Sequence, residues 1–230
     1  ISIPITFFDN QKGPHILNYK YKKEEMVNLL DEPDYPQLSA SSAFIKREAV
    51  GNLRFNTNLV NSEDALFINK ILIDNPKLGL VKNANYLYRK RFDESSTIDN
   101  SQKKKGFFTD RLKYYFKELI DYSVKKYGKT PKFIQYTLLY DLQWMVKVEE
   151  IENILTKREI NEFWEVFLDV LSYIDEDIIK NYKTLEDHHK LREYNLNMFK
   201  EFIPYIKKYN IQIDNPELIC YNQLCMKISK

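Results

Sequence analysis

Two adjacent carboxylates, Glu63 and Asp64, lie in the segment NSEDALFINKIL, residues 61–72. Ser62 directly before them is a residue type that caps helices, and the apolar residues that follow recur at helical spacing. The pattern therefore predicts an amphipathic helix that begins at this pair. Acidic side chains in a first helical turn interact favourably with the helix dipole, which gives the pair a purely structural explanation. The alternative is catalytic, because an ionised carboxylate at this place could take a proton from a bound hydroxyl.

A cluster of cations follows in the segment YRKR, residues 88–91. Between Lys82 and Lys117 the chain holds ten Lys or Arg against four Asp or Glu, and such a field attracts anionic ligands, of which phosphate is the usual one. Arginine suits this task because its planar guanidinium contacts phosphate oxygens in pairs. The alternative is a solvated basic turn. Between Glu149 and Glu217 sixteen acids stand against nine bases, which predicts solvated helix faces.

The elements that must position these groups change in character near residue 106. Before it, three short apolar runs are separated by turn residues and predict strands mixed with short helices: ISIPITFF, QLSASSAFI and LGLVKNANYLYR. ISIPITFF in particular predicts a buried strand. After it, long amphipathic stretches predict successive helices. The expected fold is an α/β region followed by a mainly helical region and a short terminal β segment.

Local signals set the expected bounds of these helices. The first should run from residue 107 and stop at Gly128, after basic residues in its last turn. Thr130 and Pro131 should begin the second, because Pro suits a first helical turn. Thr156 and Glu159 have the spacing of a capping box at the start of the third. A fourth helix is expected over residues 185–209, and two strands over residues 211–229.

Composition excludes several classes of protein. Only five Gly are present, and neither GxGxxG nor GxxxxGK[ST] occurs, so the two best-known nucleotide-binding fingerprints are missing. A run of about 18 apolar residues and a secretion leader are likewise missing, so we expect a cytoplasmic protein. The hydrophobic fraction of 43% supports a core. Because the chain opens inside an apparent strand and lacks an initial Met, we expect it to be part of a longer protein.

Metal-ligating residue types are few. Cys220 and Cys225 match neither CxxC nor a zinc spacing, and we interpret them as free thiols of a reducing compartment. His188 and His189 are neighbours, about 100° apart on a helix, and so favour an exposed polar face over chelation. His15 follows Gly13 and Pro14 in a loop and is a somewhat better candidate for contact with a ligand than this pair.

Three segments in order carry a family resemblance: SASSAFIKREAVGNLRFNTNLVNSEDALFINKIL, LVKNANYLYRKRFDESSTID and TPKFIQYTLLYDLQW. This order resembles the acceptor-side half of the family 2 inverting glycosyltransferases of GT-A type, in particular bacterial enzymes that build capsular polysaccharide or teichoic acid. HILNYKYKK, residues 15–23, is similar to the segment that follows the family's metal-binding strand. The resemblance covers roughly residues 1–145. It divides the chain into an acceptor-side half (1–105), a helical extension (106–210) and a β segment (211–230) that is expected to begin a further module.

The resemblance implies roles for individual residues. Asp64 would be the general base that takes the proton of the acceptor hydroxyl, and Glu63 would orient it or contact the acceptor. Displacement in line would invert the anomeric carbon without a second nucleophilic carboxylate. The remaining roles concern the two substrates: Arg89, Arg91, Ser95 and Ser96 at the donor diphosphate, and Ser41, Ser42 and Tyr88 at the acceptor sugar.

The resemblance also implies partners and a cofactor. The partners are a nucleotide-sugar donor and a glycan or lipid-linked glycan acceptor, so a peripheral position on the inner face of the cell membrane fits the function. The complete enzyme is expected to use Mn²⁺ or Mg²⁺ bound by the D-x-D motif of the family's N-terminal half, which we expect in another segment of the parent protein. DEPD (31–34) lies in a Pro-rich turn and DEDI (175–178) in the helical region, so neither replaces it. We therefore expect no sugar transfer by this chain alone.

A different class of function starts from KKKGFFTDRLKYYFK, residues 103–117, which interleaves cations with aromatics. Such segments dock to anionic membrane surfaces or stack on single-stranded nucleic acid. The protein would then be a non-catalytic helical binding module, and Glu63 and Asp64 would only start a helix. The aromatics lie at helical core spacing, however, and the C-terminal half is acidic, so we expect no nucleic-acid partner.

Overall fold

The computed structural model describes residues 1–59, 61–92, 100–145 and 151–180. Its strands are β1 (Ile5–Asp9), β2 (Gly13–Pro14), β3 (Glu25–Asn28), β4 (Lys77–Leu80) and β5 (Tyr86–Lys90). Its α-helices are α1 (Arg47–Val50), α2 (Glu63–Asp74), α3 (Glu118–Tyr127), α4 (Lys132–Met145), α5 (Lys157–Leu171) and α6 (Glu176–Lys180). Short 3₁₀ turns cover Ile16–Lys20, Lys105–Phe107 and Ile151–Asn153, and a π-helical segment covers Leu112–Lys117. The predicted class, α/β followed by mainly α, is confirmed, whereas the expected fourth helix and terminal β segment lie outside the described residues.

The strands form two small sheets that the first residues of the chain connect. In one sheet β1 lies between β2, which is antiparallel to it, and β5, which is parallel to it. In the other, β3 and β4 are antiparallel. The N–H of Ser2 donates to the carbonyl of Gly79 (2.7 Å), and that of Ile3 donates to the carbonyl of Ser42 (3.0 Å). The N-terminal segment therefore holds both sheets and the loop around Ser42 together.

Two apolar runs fold differently from the expectation. ISIPITFF was predicted as one buried strand, but β1 begins only at Ile5, and Phe8 is 41% exposed. Pro4 has no N–H to donate to a ladder, which separates the residues before it from β1. QLSASSAFI forms neither a strand nor a helix, apart from one bridge between Ser2 and Ala43. Its serines bond locally instead, as the 2.7 Å contact between the hydroxyls of Ser39 and Ser41 shows.

The helical region follows its local signals closely. Gly128 ends α3 with a φ of 72°, a left-handed conformation that Gly adopts readily, and α4 begins directly after Pro131. Thr156 and Glu159 form the predicted capping box of α5. The first helix is not regular, however, because a π-helical segment precedes α3 and brings Leu112, Tyr115 and Phe116 into the core together.

One continuous core joins the strand-containing and helical parts. The cluster of buried apolar side chains extends from Leu17 and Val27 to Ile179, and its largest members include Tyr115, Phe108, Phe116 and Phe167. Helix α2 packs against α3 and thereby belongs to both parts. Side chains of the helical part therefore pack against α2 and help to fix its position. No helix within the described ranges has both the length and the apolar composition to cross a bilayer.

Replacement of Thr156 by Ala should lower the free energy of unfolding by about 1 kcal/mol, because the side chain accepts the N–H of Glu159 at the start of α5. Urea unfolding followed by circular dichroism measures this. Thr156→Ser keeps a capping hydroxyl and should retain most of the stability. Equal losses in both variants would contradict the role of the cap.

Candidate active site

Asp64 lies in the first turn of α2, half-buried, where its Oδ2 accepts the backbone N–H of Ala40 at 3.0 Å. Ser62 does not cap the helix as predicted, because it adopts a left-handed conformation (φ 66°) and its hydroxyl makes no bond to the helix backbone. That hydroxyl instead accepts a bond of 2.7 Å from Nε of Arg111. Burial raises the pKa of Glu63, and the neighbouring charge of Asp64 adds to the shift. The helix start thus holds one oriented carboxylate and one that is harder to ionise.

A buried ionic network lies beneath this helix start. The guanidinium of Arg111 contacts Oδ1 of Asp141 at 2.9 Å, and the hydroxyl of Tyr115 donates to Oδ2 of the same carboxylate at 2.7 Å. Arg111 and Asp141 are 4% and 6% exposed. Arg111 also lies over the ring of Phe107, 4.8 Å from its centroid. The network connects α4 to the π-helical segment and, through Ser62, to the start of α2.

Electrostatics indicate that Asp64 is close to this network. Burial raises the pKa of Asp141, opposed by Arg111, and the charge of Asp64 contributes to the rise. Burial also raises the pKa of Tyr115, with contributions from Asp141 and again from Asp64. Asp64 and Asp141 therefore interact as like charges, although Arg111 pairs with Asp141 and Ser62 and makes no direct contact with Asp64 among the described interactions.

A second buried cluster is formed by Lys20 and the loop of residues 36–42, which contains Ala40. Lys20 is 5% exposed, and its ammonium donates to the carbonyl of Pro36 (2.6 Å) and to Oε1 of Gln37 (2.8 Å). Burial lowers the pKa of Lys20 to about 7. The hydroxyl of Ser2 also donates to Oε1 of Gln37 (2.5 Å), and the amide of Gln37 donates to the carbonyl of Ser39 (2.9 Å). Lys20 thereby fixes the segment that precedes Ala40.

His15 adjoins Lys20 and is held as a neutral ring. Its Nδ1 accepts the N–H of Leu17 at 3.1 Å, and its Nε2 is 3.4 Å from the hydroxyl of Tyr140. Burial lowers the pKa of His15 to about 4, with further contributions from Lys20 and Lys90. The site therefore contains a histidine that sequence alone made a weak candidate.

Lys20, His15 and Tyr140 line a cavity of about 70 Å³, together with residues of the 36–42 loop, among them Ser39 and Ser42. Ser42 is buried and accepts a bond from the amide of Gln37 (3.2 Å), whereas Ser41 is exposed. Ser39 of the cavity wall directly precedes Ala40, which binds Asp64. Tyr140 of the wall directly precedes Asp141 of the buried network. The cavity and the carboxylate thus contact neighbouring residues of one loop.

The cationic strand β5 presents two faces. Tyr88 contacts the edge of Phe7 (5.7 Å between ring centroids), and Phe7 in turn contacts His15 (5.5 Å). Lys90 lies over the ring of Tyr88 at 5.8 Å and shares its face of the strand. Arg89 alternates to the other face, and its Nε pairs with Oδ2 of Asp9 at the end of β1 (2.7 Å). Lys90, rather than Arg89, is therefore the cation of β5 on the side of the cavity.

The remaining predicted residues lie elsewhere. Arg91 is exposed just beyond β5, and Ser95 and Ser96 lie outside the described residues, as do both Cys, His188 and His189. A wider groove of about 520 Å³ lies at the far end of α2, lined by residues 48–53, Ile71, Asp74 and Asn75, and includes none of the predicted site residues. Within the described ranges, no group of three His, Cys, Asp or Glu side chains is placed to hold a metal ion.

Sequence reasoning missed Arg111, Asp141, Tyr115 and Lys20. Asp141 carries a signal that was available, since it is an acid within the apolar run TLLYDLQW and a buried acid must be paired. Lys20 carries no such signal, because it is one of several lysines in NYKYKK.

Two curated relatives from Bacillus subtilis (strain 168) match the chain. It is 37% identical over 186 residues to the minor teichoic acid biosynthesis protein GgaB, which covers 80% of this chain and 21% of GgaB. It is 24% identical over 216 residues to the minor teichoic acid biosynthesis protein GgaA, which covers 91% of this chain and 46% of GgaA. The chain thus spans about a fifth of one relative and less than half of the other. No protein-family model and no solved structure matches it.

The names of both relatives agree with the predicted relationship to teichoic acid synthesis. The names do not test the finer predictions, which are membership of family 2, the GT-A type and the roles of single residues. Those stay predictions.

Replacement of Asp141 by Asn should lower the free energy of unfolding by about 3 kcal/mol, because Arg111 would remain buried without its counter-charge. Chemical unfolding measures the loss. Asp169→Asn is the matched control: its pair with Lys117 is 45% and 30% exposed, and such pairs contribute less than about 1 kcal/mol. A similar loss in both variants would show that the buried network contributes no more to the free energy of unfolding than an exposed ion pair does.

Lys20 should make stability depend on pH in the alkaline range. Its folded pKa of about 7 lies below its ordinary value of 10.5, so between these values the unfolded chain binds more protons and stability rises with pH. The slope should approach 1 kcal/mol per pH unit in order of magnitude. Unfolding measured from pH 7 to pH 9.5 should show this rise in the wild type and a flatter profile in Lys20→Met. Identical profiles would mean that Lys20 does not titrate in this range.

Proposed function

We propose that this chain is the acceptor-side part of an inverting glycosyltransferase that acts in the synthesis of a bacterial surface glycan such as teichoic acid. The similarity to two proteins named for minor teichoic acid biosynthesis supports the biological role. The single observation that carries the chemistry is the geometry of Asp64, a half-buried carboxylate at a helix start whose Oδ2 is fixed by the N–H of Ala40.

Asp64 acts in this proposal as the general base. It accepts the proton of an acceptor hydroxyl while that oxygen attacks the anomeric carbon of the donor sugar and the nucleoside diphosphate leaves. The N–H of Ala40 orients the carboxylate for this role through its bond to Oδ2. Glu63, whose pKa is raised by burial, contacts the acceptor or orients Asp64.

The substrates occupy the two sides of β5 in this proposal. Tyr88 stacks on the acceptor sugar, with Ser41 and Ser42 near it, and Arg89 on the other face of β5 contacts the donor diphosphate. Arg89 would exchange its exposed pair with Asp9 for phosphate oxygens, together with Arg91, Ser95 and Ser96. A divalent metal is expected for the complete enzyme, but the described residues offer no cluster that fits it, so no step here depends on it.

This proposal retains the division of the chain into an acceptor-side half (1–105), a helical extension (106–210) and a β segment (211–230). The first part carries Asp64 and β5, and the helical part packs against α2 through the shared core and contributes Tyr140 to the wall of the cavity. Sugar transfer by this chain without the donor-binding half of the enzyme is not expected.

The competing function as a basic-aromatic binding module receives little support. Phe107, Phe108 and Phe116 of its segment are 5%, 0% and 0% exposed, so these rings form core and cannot stack on bases or enter a membrane. Lys103 and Lys104 are exposed, but isolated surface cations are ordinary.

The full-length protein that contains this sequence provides the test. Release of nucleoside diphosphate is measured across a panel of nucleotide sugars with an acceptor glycan present. Asp64→Asn should lower kcat by 10²- to 10⁴-fold, the range for loss of a general base, because Asn can still accept the N–H of Ala40 but cannot take a proton.

Asp74→Asn is the matched control, since it makes the same change at the other end of α2, where Asp74 accepts the hydroxyl of Tyr122. Its kcat should stay within about twofold of the wild type, since only a surface contact changes. Full turnover in a folded Asp64→Asn variant would make Glu63 and Asp64 merely the first turn of a helix, and no release with any donor would remove the transferase proposal.

A further inference from the structure

The cavity beside Lys20 has the size and lining of a binding site for a small group. Its volume of about 70 Å³ exceeds several-fold the roughly 10–15 Å³ that one water needs. The lining converges from four parts of the chain: β1 with Ile5, the turn Ile16–Lys20, the 36–42 loop, and α4 with Tyr140. Such convergence of polar groups around a small apolar-walled space is typical of a built ligand site.

The lining includes several groups that can donate, and it carries a positive bias. Lys20 is buried, and three residues with hydroxyls, Ser39, Ser42 and Tyr140, line the cavity with it. Lys90 adds positive potential from β5, as its effect on the pKa of His15 shows. Among the described lining residues there is no Asp or Glu. The ammonium of Lys20 donates to a carbonyl and an amide oxygen, which take up two of its three hydrogens and leave its charge uncompensated among the described contacts.

A buried cation without a counter-charge is costly, and a bound anion removes that cost. We propose that the cavity between Lys20, His15 and Tyr140 is an anion subsite that takes one phosphate group. Two oxygens of a phosphate fit the chemistry of the wall: one accepts from Lys20 and another from a hydroxyl. Ring contacts through Phe7 and His15 connect Tyr88 to this cavity. A phosphate attached to a sugar that stacks on Tyr88 therefore lies on the cavity side of β5.

This inference rests on the proposed function only for the source of the phosphate. In a glycosyltransferase that source is either a phosphate of the acceptor glycan or the diphosphate of the donor, and both present the same oxygens. The placement of the cavity on the side of Tyr88, away from the Arg89 face of β5, favours the acceptor.

The test measures sulfate binding to the 230-residue chain by titration calorimetry, because sulfate keeps its charge across the pH range used. Binding should be at least tenfold weaker at pH 9 than at pH 6. Lys20 is the lining group that titrates between these values, since the pKa of His15 lies at about 4 and burial raises the pKa of Tyr21 to about 12 and that of Tyr140 still higher. Lys20→Met should weaken binding at pH 6 at least tenfold and remove the pH dependence.

Lys129→Met makes the same change at an exposed lysine and should bind sulfate as the wild type does. If Lys20→Met does not fold, the wild type still decides, because sulfate should shift the NMR resonances of the His15 ring. His15→Asn should keep the cap on Leu17 through its amide oxygen and bind sulfate a few-fold more weakly. Sulfate binding that ignores both pH and Lys20, or that leaves His15 unshifted, overturns the subsite.

Competition then separates the sources. Glycerol 3-phosphate should displace sulfate from the cavity, whereas displacement by a nucleoside diphosphate alone would overturn the assignment to the acceptor. The subsite and the proposed function fail separately. Absence of sulfate binding removes the subsite even if Asp64→Asn abolishes turnover, and sulfate binding with full turnover in Asp64→Asn leaves the subsite and removes the base.

Discussion

The loop of residues 36–42 is the constraint on which the rest of the site depends, because it is fixed from three sides by groups far away in sequence. Lys20 binds Pro36 and Gln37, Asn69 of α2 donates to the carbonyl of Gln37 at 2.9 Å, and Ala40 donates to Asp64. Asn69 is buried and also donates to the carbonyl of Ala65, so its position is set by the helix. The loop has no regular secondary structure, and these side-chain bonds replace the backbone ladder that would otherwise hold it.

The buried network of Arg111, Asp141 and Tyr115 places a second demand on the fold. Desolvation of two charges costs several kcal/mol and is balanced only when the geometry is close and the remaining donors are satisfied. Here Asp141 accepts from both Arg111 and Tyr115, and Arg111 uses its Nε on Ser62. Ser62, in its left-handed conformation, therefore binds Arg111 of the core instead of capping α2. This bond fixes the start of α2 against the helical region, and with it the direction of Asp64.

Sequence predicted those parts of the fold whose signals are local. Gly128, Pro131 and the pair of Thr156 and Glu159 each act within one helical turn, and the structure shows all three as expected. The start of α2 at Glu63 was likewise predicted. What sequence could not supply were contacts set by tertiary packing: Ser62 with Arg111 spans 49 residues and Tyr140 with His15 spans 125. The buried role of Lys20 depends on where the 36–42 loop returns, which no spacing along the chain encodes.

The arrangement of charges around Asp64 follows from what a base requires. A carboxylate in direct contact with a cation has a lowered pKa and is a weaker base, whereas one in an apolar pocket is hard to keep ionised. In the described contacts Asp64 is held by the neutral N–H of Ala40, and Arg111, the cation of the buried network, is engaged by Asp141 and Ser62. Lys20 lies across the loop, where carbonyl and amide oxygens hold it. The 36–42 loop thus binds the ammonium of Lys20 through Pro36 and Gln37 and the carboxylate of Asp64 through Ala40, so that one loop positions both charged groups.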